Sequence, residues 1–212
     1  MEDLERLYDA VLAGNAKAAV AVTKEAVEAG VDPQVLLDEY MIPAMDEVGR
    51  RFEANECFVP ELLISARAMK GSVEIIRPLL STAGAEPVGR VVIGTVQGDL
   101  HDIGKNLVAI MLEGGGFEII DVGVDANADK FIDAINAKKP HIVALSALLT
   151  TTLPSMKNII DRLSQAGVRS QVKVIIGGAP VTQDFADEIG ADGYSDNAGA
   201  AVSLARRLLG LN

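Results

Sequence analysis

Residues 90–104 read Arg90-Val91-Val92-Ile93-Gly94-Thr95-Val96, then Gln97-Gly98-Asp99-Leu100-His101-Asp102-Ile103-Gly104. The first seven form an apolar run without polar alternation, the pattern of a strand covered on both faces. Glycines and charged residues end the run, and residues 104–114 continue at a helical period. The same succession recurs downstream. Strands are expected over 90–96, 117–122, 141–146 and 172–176, with a short piece at Gly193-Tyr194. Helices are expected between and after them, over 104–114, 128–138, 152–166, 182–189 and 196–209. A repeated βα succession predicts an α/β domain over residues 90–212, built on a doubly wound parallel sheet. Five strands fit the flavodoxin-like, Rossmann-like order 2-1-3-4-5.

Upstream the pattern is helical. Leu4, Leu7, Tyr8, Val11 and Leu12 recur at helical spacing. Asn15 can cap a second helix that ends at Gly30. Asp32-Pro33 opens a third, with Pro33 at the first helical position, carrying Val35, Leu36, Tyr40, Met41, Met45 and Val48. A fourth begins around Pro60 and carries Leu62, Leu63, Ala66, Met69, Val73 and Ile76. Four amphipathic helices with short connections predict a small helical bundle over residues 1–82. Residues 83–89, rich in small residues with Pro87 and Gly89, read as the linker.

Composition narrows the function classes. A net charge of −11 argues against a nucleic-acid surface and against docking on anionic lipid. The single cysteine, Cys57, excludes an internal disulfide and a zinc knuckle or iron–sulfur site built by this chain alone; a buried core thiol is expected there. The acidic start, Met1-Glu2-Asp3-Leu4-Glu5, is not expected to act as a signal peptide. The longest apolar stretch, Ile142 to Leu153, is too short to span a bilayer. A cytoplasmic protein with no nucleic-acid or membrane partner is expected. His101 and His141 are the only histidines, so any histidine chemistry uses one of them.

In open α/β sheets, ligands sit outside the carboxyl ends of the strands near the switch in strand order. Three unusual segments are expected there: 97–104 after the first strand, Ser146-Ala147-Leu148-Leu149-Thr150-Thr151-Thr152 after the third, and Gly177-Gly178-Ala179 after the fourth. Asp99 can accept from one imidazole nitrogen of His101, fixing the other as a lone-pair donor, the arrangement of metal-binding histidines. Taken alone, the pair reads rather as a surface histidine in a polar loop with Asp99 as a cap. Gly104 lets the chain turn tightly into the helix and leaves room above it. Ser146 and Thr150 to Thr152 are dense in hydroxyls, of which helix capping before Pro154 accounts for one. Paired glycines at a strand end point to something bulky passing close to the backbone, although one glycine there is often local.

These residues resemble a known pattern. Asp99-x-His101-x-x-Gly104, Ser146-x-Leu148 and Gly177-Gly178 are similar, in type and spacing, to the cobalamin-binding signature of methionine-synthase-like corrinoid domains. Residues 49–63, with Arg50-Arg51-Phe52-Glu53 and Phe58-Val59-Pro60-Glu61, look like the helical cap of that family, and the resemblance covers essentially the whole chain. Its nearest form is the stand-alone carrier of methanol, methylamine or methoxy-compound methyltransferase systems. The resemblance implies a corrinoid cofactor, cobalamin or a relative, bound base-off with His101 as the axial cobalt ligand and methylated in the loaded state. It implies that Asp99 is the hydrogen-bond partner of His101. Thr152 stands where methionine synthase has the serine that completes the triad, a departure that keeps the hydroxyl. Ser146 and Leu148 fall to the surroundings of the buried nucleotide tail, Gly177 and Gly178 to the glycines beside it; Thr150 is a further cofactor-binding candidate, as a ligand-facing hydroxyl. Phe58 falls to an apolar residue over the methyl face; Cys57 receives no role. The implied partners are a substrate:corrinoid methyltransferase, a corrinoid:acceptor methyltransferase acting on a thiol or tetrahydrofolate-type acceptor, and a reductive activase. The chain is then no enzyme on its own.

Other readings of the same residues are weaker. Gly98-Asp99-Leu100-His101 also opens metallophosphoesterases, but those need several further histidines, and only His141 remains, at a strand start expected on the opposite edge of the sheet. A flavin site would show aromatic stacking residues, and aromatics are only 4% of the chain. Ser146 stands where a receiver domain needs its phospho-acceptor, and no G-x-G-x-x-G follows the first strand. The alternative from another class is a cobalamin-dependent sensor or regulator. Such proteins usually carry a further DNA-binding or signalling domain, for which 212 residues leave no room.

Overall fold

The computed structural model describes residues 2–83 and 87–211. It divides into two compact units, Met1–Val88 with Glu113–Gly116, and Gly89–Leu112 with Phe117–Asn212. The linker expected over 83–89 falls partly on residues 84–86, outside the described residues.

The first unit is helical. Helix α1 (Glu2–Leu12) and α2 (Ala16–Glu28) are joined by a turn in which Asn15 caps α2, its Oδ1 accepting from Ala18 N at 3.1 Å. Asp32 caps the next segment in the same way, at 2.9 Å from Gln34 N, with Pro33 at its first position. The single helix expected from Pro33 through Val48 is in fact α3 (Pro33–Val35), a π-helical stretch (Leu36–Met41) and α4 (Ile42–Glu53). Pro43 supplies the reason. It has no N–H to give and its ring crowds the preceding turn, so the chain widens and Ile42 N–H reaches back to Leu37 O. Helix α5 (Val59–Ala83) packs on α2 and α4. Leu7, Val11, Leu36, Met41, Met45, Leu62 and Ile76 form the buried seam.

The second unit is α/β. Its strands are β1 (Gly89–Thr95), β2 (Phe117–Asp121), β3 (Ile142–Ser146), β4 (Lys173–Gly177) and β5 (Gly193–Ser195), all parallel, in the order β2-β1-β3-β4-β5. The intervening helices are α6 (Ile103–Gly114), α7 (Ala128–Lys138), α8 (Leu153–Gln165), α9 (Gln183–Ile189) and α10 (Ala198–Leu208). The fold class read from the sequence therefore holds. Val92, Val143, Leu145, Val174 and Ile176 pack with Phe131, Ile135, Met156, Ile159 and Leu163 in one core layer. Val91, Ile93, Ile142, Ala144 and Ile175, which alternate with them, are equally buried, so both faces are covered. Each fully buried large side chain contributes about 1.5–3 kcal/mol.

Register positions the site. Thr95 lies beside Ser146, Ser146 beside Gly177, and Gly177 beside Ser195. The loops after β1, β3 and β4 thus leave the sheet at one level and side by side.

Candidate functional site

Asp99 lies in the β1–α6 loop and its side chain has no exposed surface. Oδ1 accepts from His101 N at 3.0 Å and from His101 Nδ1 at 2.7 Å. Oδ2 accepts from Leu148 N at 2.8 Å, Leu149 N at 3.2 Å and Thr152 Oγ1 at 2.8 Å. Thr152 Oγ1 is also 2.8 Å from Leu149 O, which already accepts from Thr152 N. The single hydroxyl proton is better placed on the carboxylate, because charged acceptors make the stronger bond. The β3–α8 loop therefore closes over Asp99 with two amides and a hydroxyl. Burial alone would push the Asp99 carboxyl up. The His101 and Leu148 amides, the His101 ring and the Thr152 hydroxyl outweigh it and hold the group well below the usual carboxylate range.

A charged carboxylate can only accept, so the proton between Asp99 and His101 sits on Nδ1. Nε2 is then the lone-pair nitrogen. It makes no hydrogen bond among the described residues, and the side chain is 51% exposed. Exposed apolar residues flank it in the same loop, Leu100 at 71% exposed and Ile103 at 81%, and Leu148 and Leu149, whose amides bind Asp99, are also exposed. Gly104, in the first turn of α6, would meet nothing within 4 Å if it carried a Cβ. The site presents one exposed imidazole lone pair on loops that also expose apolar side chains. Among the described residues no group of three or more His, Cys, Asp or Glu can hold a metal ion. The chemistry of such a donor set is that of one ligand to a metal already held by something else.

The loop is gripped from other directions as well. Thr95 Oγ1 donates to His101 O at 2.8 Å, and Thr95 is fully buried. Asp125 Oδ1, from the β2–α7 loop, accepts from Gly98 N at 2.8 Å. Lys105 on α6, only 3% exposed, pairs with Asp121 at the end of β2. None of Thr95, Asp125, Lys105, Asp121, Leu100 or Ile103 was singled out from sequence. For two a signal was legible: Leu100 and Ile103 are apolar residues flanking a histidine in a loop otherwise polar.

The remaining candidates are placed as follows. Ser146 ends β3 half-buried, its hydroxyl without a hydrogen bond among the described residues. Thr150 opens a 3-10 turn (Thr150–Thr152) and is exposed, whereas Thr152 is buried. Gly177 ends β4 and Gly178 follows it, and what passes close to them is the protein itself. A Cβ on Gly178, at φ +133°, would stand 1.8 Å from Ala147 O, and one on Gly177 would stand 3.0 Å from Ser195 O. Phe58 belongs to the helical unit, just before α5, with 62% of its surface exposed and its N–H donating to Glu61 at 2.7 Å. Cys57, expected in the core, is only partly buried; its thiol faces Val48 O at 3.6 Å, and burial, followed by Glu61, pushes it up.

His141 precedes β3, the middle strand of the sheet, so it lies at the opposite end of the strands from His101 rather than at an edge. Its Nδ1 accepts from Arg90 N at 3.0 Å, a structural bond. It borders a cleft of about 330 Å³ whose charged lining is internally paired, Arg169 with Asp192 at 2.7 Å and Lys173 with Asp192 at 3.5 Å.

Two family profiles, both described as B12 binding domain, match the chain, over residues 89–203 and 3–77. The trimethylamine corrinoid protein 1 of Methanosarcina acetivorans is 42% identical over 98% of this chain and 97% of its own length. The dimethylamine corrinoid protein 1 of the same organism is 40% identical over 98% of both. Among solved structures, the methanol:cobalamin methyltransferase complex of Methanosarcina barkeri includes a chain with a TM-score of 0.88 and 31% identity. The match covers 99% of this chain and 80% of that one. A cobalamin-binding protein of Desulfitobacterium hafniense has a TM-score of 0.81 and 33% identity, over 97% and 98%.

Proposed function

This chain belongs to the B12 binding domain family, and from that premise we propose that it holds a corrinoid on His101 and carries a methyl group between two partner methyltransferases. The residues described fit such a group. His101 Nε2 offers the one lone pair with which the protein would hold the metal of such a group. Leu100, Ile103, Leu148 and Leu149 offer apolar surface to a large flat ligand, and Gly104 leaves space beside it. When bound, the corrinoid supplies a cobalt centre that accepts and gives up a methyl group.

The observation that carries the reading is the saturation of Asp99. Five donors surround its two oxygens, so it stays charged and cannot rotate. Its role is to keep the proton on His101 Nδ1 and to aim Nε2 outward. Thr152 and the Leu148 and Leu149 amides hold Asp99 for that purpose. The relatives' names, corrinoid proteins for trimethylamine and dimethylamine, support a methylamine system; a reductive activase and a thiol or folate-type acceptor complete the proposal.

The test is reconstitution of the apo chain with methylcobalamin. Wild type should show the absorption of a histidine-ligated corrinoid and should pass its methyl group to a thiol when a corrinoid:thiol methyltransferase is added. His101→Ala should remain folded and lose that absorption. Identical spectra in the two proteins would refute His101 as the ligand. A histidine-ligated protein that passes its methyl group to no acceptor enzyme would point instead to a sensor.

A further inference from the structure

We propose that Asp125 is a positioning residue that sets the pose of His101 through the backbone of the β1–α6 loop; this rests on the reading of His101 as the corrinoid ligand. Asp125 stands in the β2–α7 loop at φ +47°, a left-handed conformation that few side chains adopt. In that conformation two of its groups face the β1–α6 loop together. Oδ1 accepts from Gly98 N at 2.8 Å, and its own N–H donates to Asp99 O at 3.0 Å. The bonds bracket one peptide link, between a glycine at φ +86° and the carboxylate that orients the histidine. On the next residue, Ala126 N donates to Thr95 O at 2.9 Å, and Val96 and Ala126 form an isolated parallel bridge.

The consequence is a second control on His101. The Asp99 carboxylate holds the imidazole ring, and Asp125 holds the backbone from which that carboxylate projects. Gly98 is the pivot, because a glycine there resists rotation least. Without an acceptor for Gly98 N–H, the 97–98 peptide is free to turn; Asp99 N–H on Val96 O at 3.1 Å and Asp125 N–H on Asp99 O still hold the next link, so Asp99 sits less firmly among its donors without leaving the loop. Asp125 is exposed, so its bond competes with water and the effect is a matter of several-fold, not of folding.

Three substitutions separate the acceptor from the backbone. Asp125→Asn keeps an acceptor at the same place and tolerates the left-handed conformation. Asp125→Gly keeps the conformation and removes the acceptor. Asp125→Ala removes the acceptor and strains the backbone. Each is loaded with hydroxocobalamin, and the ratio of histidine-ligated to unligated bound cofactor is read from the visible spectrum; Gly98 amide exchange is measured in the apo chain. Asp125→Asn should stay within about twofold of wild type. Asp125→Gly should lower the ratio by about three- to tenfold and speed Gly98 exchange by a similar factor, the range of one net hydrogen bond. Asp125→Ala should be at least as impaired. A wild-type ratio in Asp125→Gly, or a fall in Asp125→Asn equal to that in Asp125→Gly, would overturn the proposal. If wild type itself matched His101→Ala, the ligand reading would fail, and unchanged Gly98 exchange in Asp125→Gly would separately refute the grip.

Discussion

Asp99 enters the fold with both oxygens occupied, and acid should find it. Its carboxyl is more acidic in the folded chain than the ordinary value of about 3.9 for an unfolded aspartate. Below that value the unfolded chain binds a proton that the fold refuses, so stability rises with pH. The contribution of Asp99 is therefore complete above about pH 5 and drains as pH falls through 4 and below. Glu47, held at about 2 by Arg50 and Arg51, titrates in the same direction, so the variant must isolate Asp99. Asp99→Asn presents an NH₂ to donors whichever way it turns, and should cost about 1–3 kcal/mol at pH 7. Urea unfolding of the apo proteins should show the gap between wild type and Asp99→Asn closing between pH 5 and pH 3; a constant gap would contradict this. A second residue-scale contrast concerns the glycines. Gly178→Ala should cost about 3 kcal/mol or more, because the Cβ meets the Ala147 carbonyl. Gly104→Ala should change the unfolding midpoint little, since its Cβ meets open space. Equal midpoints for the two variants would sink that distinction. The Asp99–His101 pairing was legible from the two-residue spacing, and Gly178 was legible as a constraint. The Leu148 and Leu149 amides were not, because every residue but proline carries one. What the glycine avoids was not legible either, since a carbonyl brought near by β-pairing leaves no mark at position 178.

At the scale of elements, helix α6 is held to β2 by a buried cation. Lys105 is the lone charge in the first two turns of α6, and Asp121 both pairs with it and accepts from Gly123 N at 2.8 Å. Removing one partner of such a pair strands the other, whereas removing the buried charge itself does not. Asp121→Asn should thus destabilise by about 2 kcal/mol, less than for a fully buried pair because Asp121 is 42% exposed. Lys105→Met, similar in length and apolar, should stay within about 1 kcal/mol of wild type. Chemical denaturation reads both; a larger loss in Lys105→Met would reverse the account. Strand and helix positions in this unit were legible because buried parallel strands are short apolar runs closed by glycines, and helices restore a 3.6-residue period. The π-helical stretch Leu36–Met41 was not. Hydrophobic period continues through it, and only Pro43 marks the interruption. The cross-loop grips of Asp121 and Asp125 were likewise invisible, since they join residues distant in sequence whose neighbourhood exists only once β1 and β2 pair.

For the molecule as a whole, strand order is what turns scattered residues into a site. With β1, β3 and β4 adjacent and Thr95, Ser146 and Gly177 in register, three loops far apart in sequence begin side by side. One loop carries His101, the second holds the Asp99 carboxylate that orients it, and the third packs its glycines against the Ala147 and Ser195 carbonyls. The net charge of −11 gives no long-range attraction to polyanions, and among the described residues no helix is long and apolar enough to cross a membrane. The central claim is that His101 Nε2 ligates the cofactor's metal. Electron paramagnetic resonance of the Co(II) form, in protein whose histidines carry ¹⁵N, tests it most directly. An axial ¹⁴N splits each cobalt line into three and an axial ¹⁵N into two, and the cofactor's own base stays ¹⁴N. With His101 on the cobalt, unlabelled protein should show triplets that become doublets on histidine labelling. Triplets that persist in the labelled protein would mean that the cofactor keeps its own base, and that the arrangement of Asp99, His101 and Thr152 serves something else.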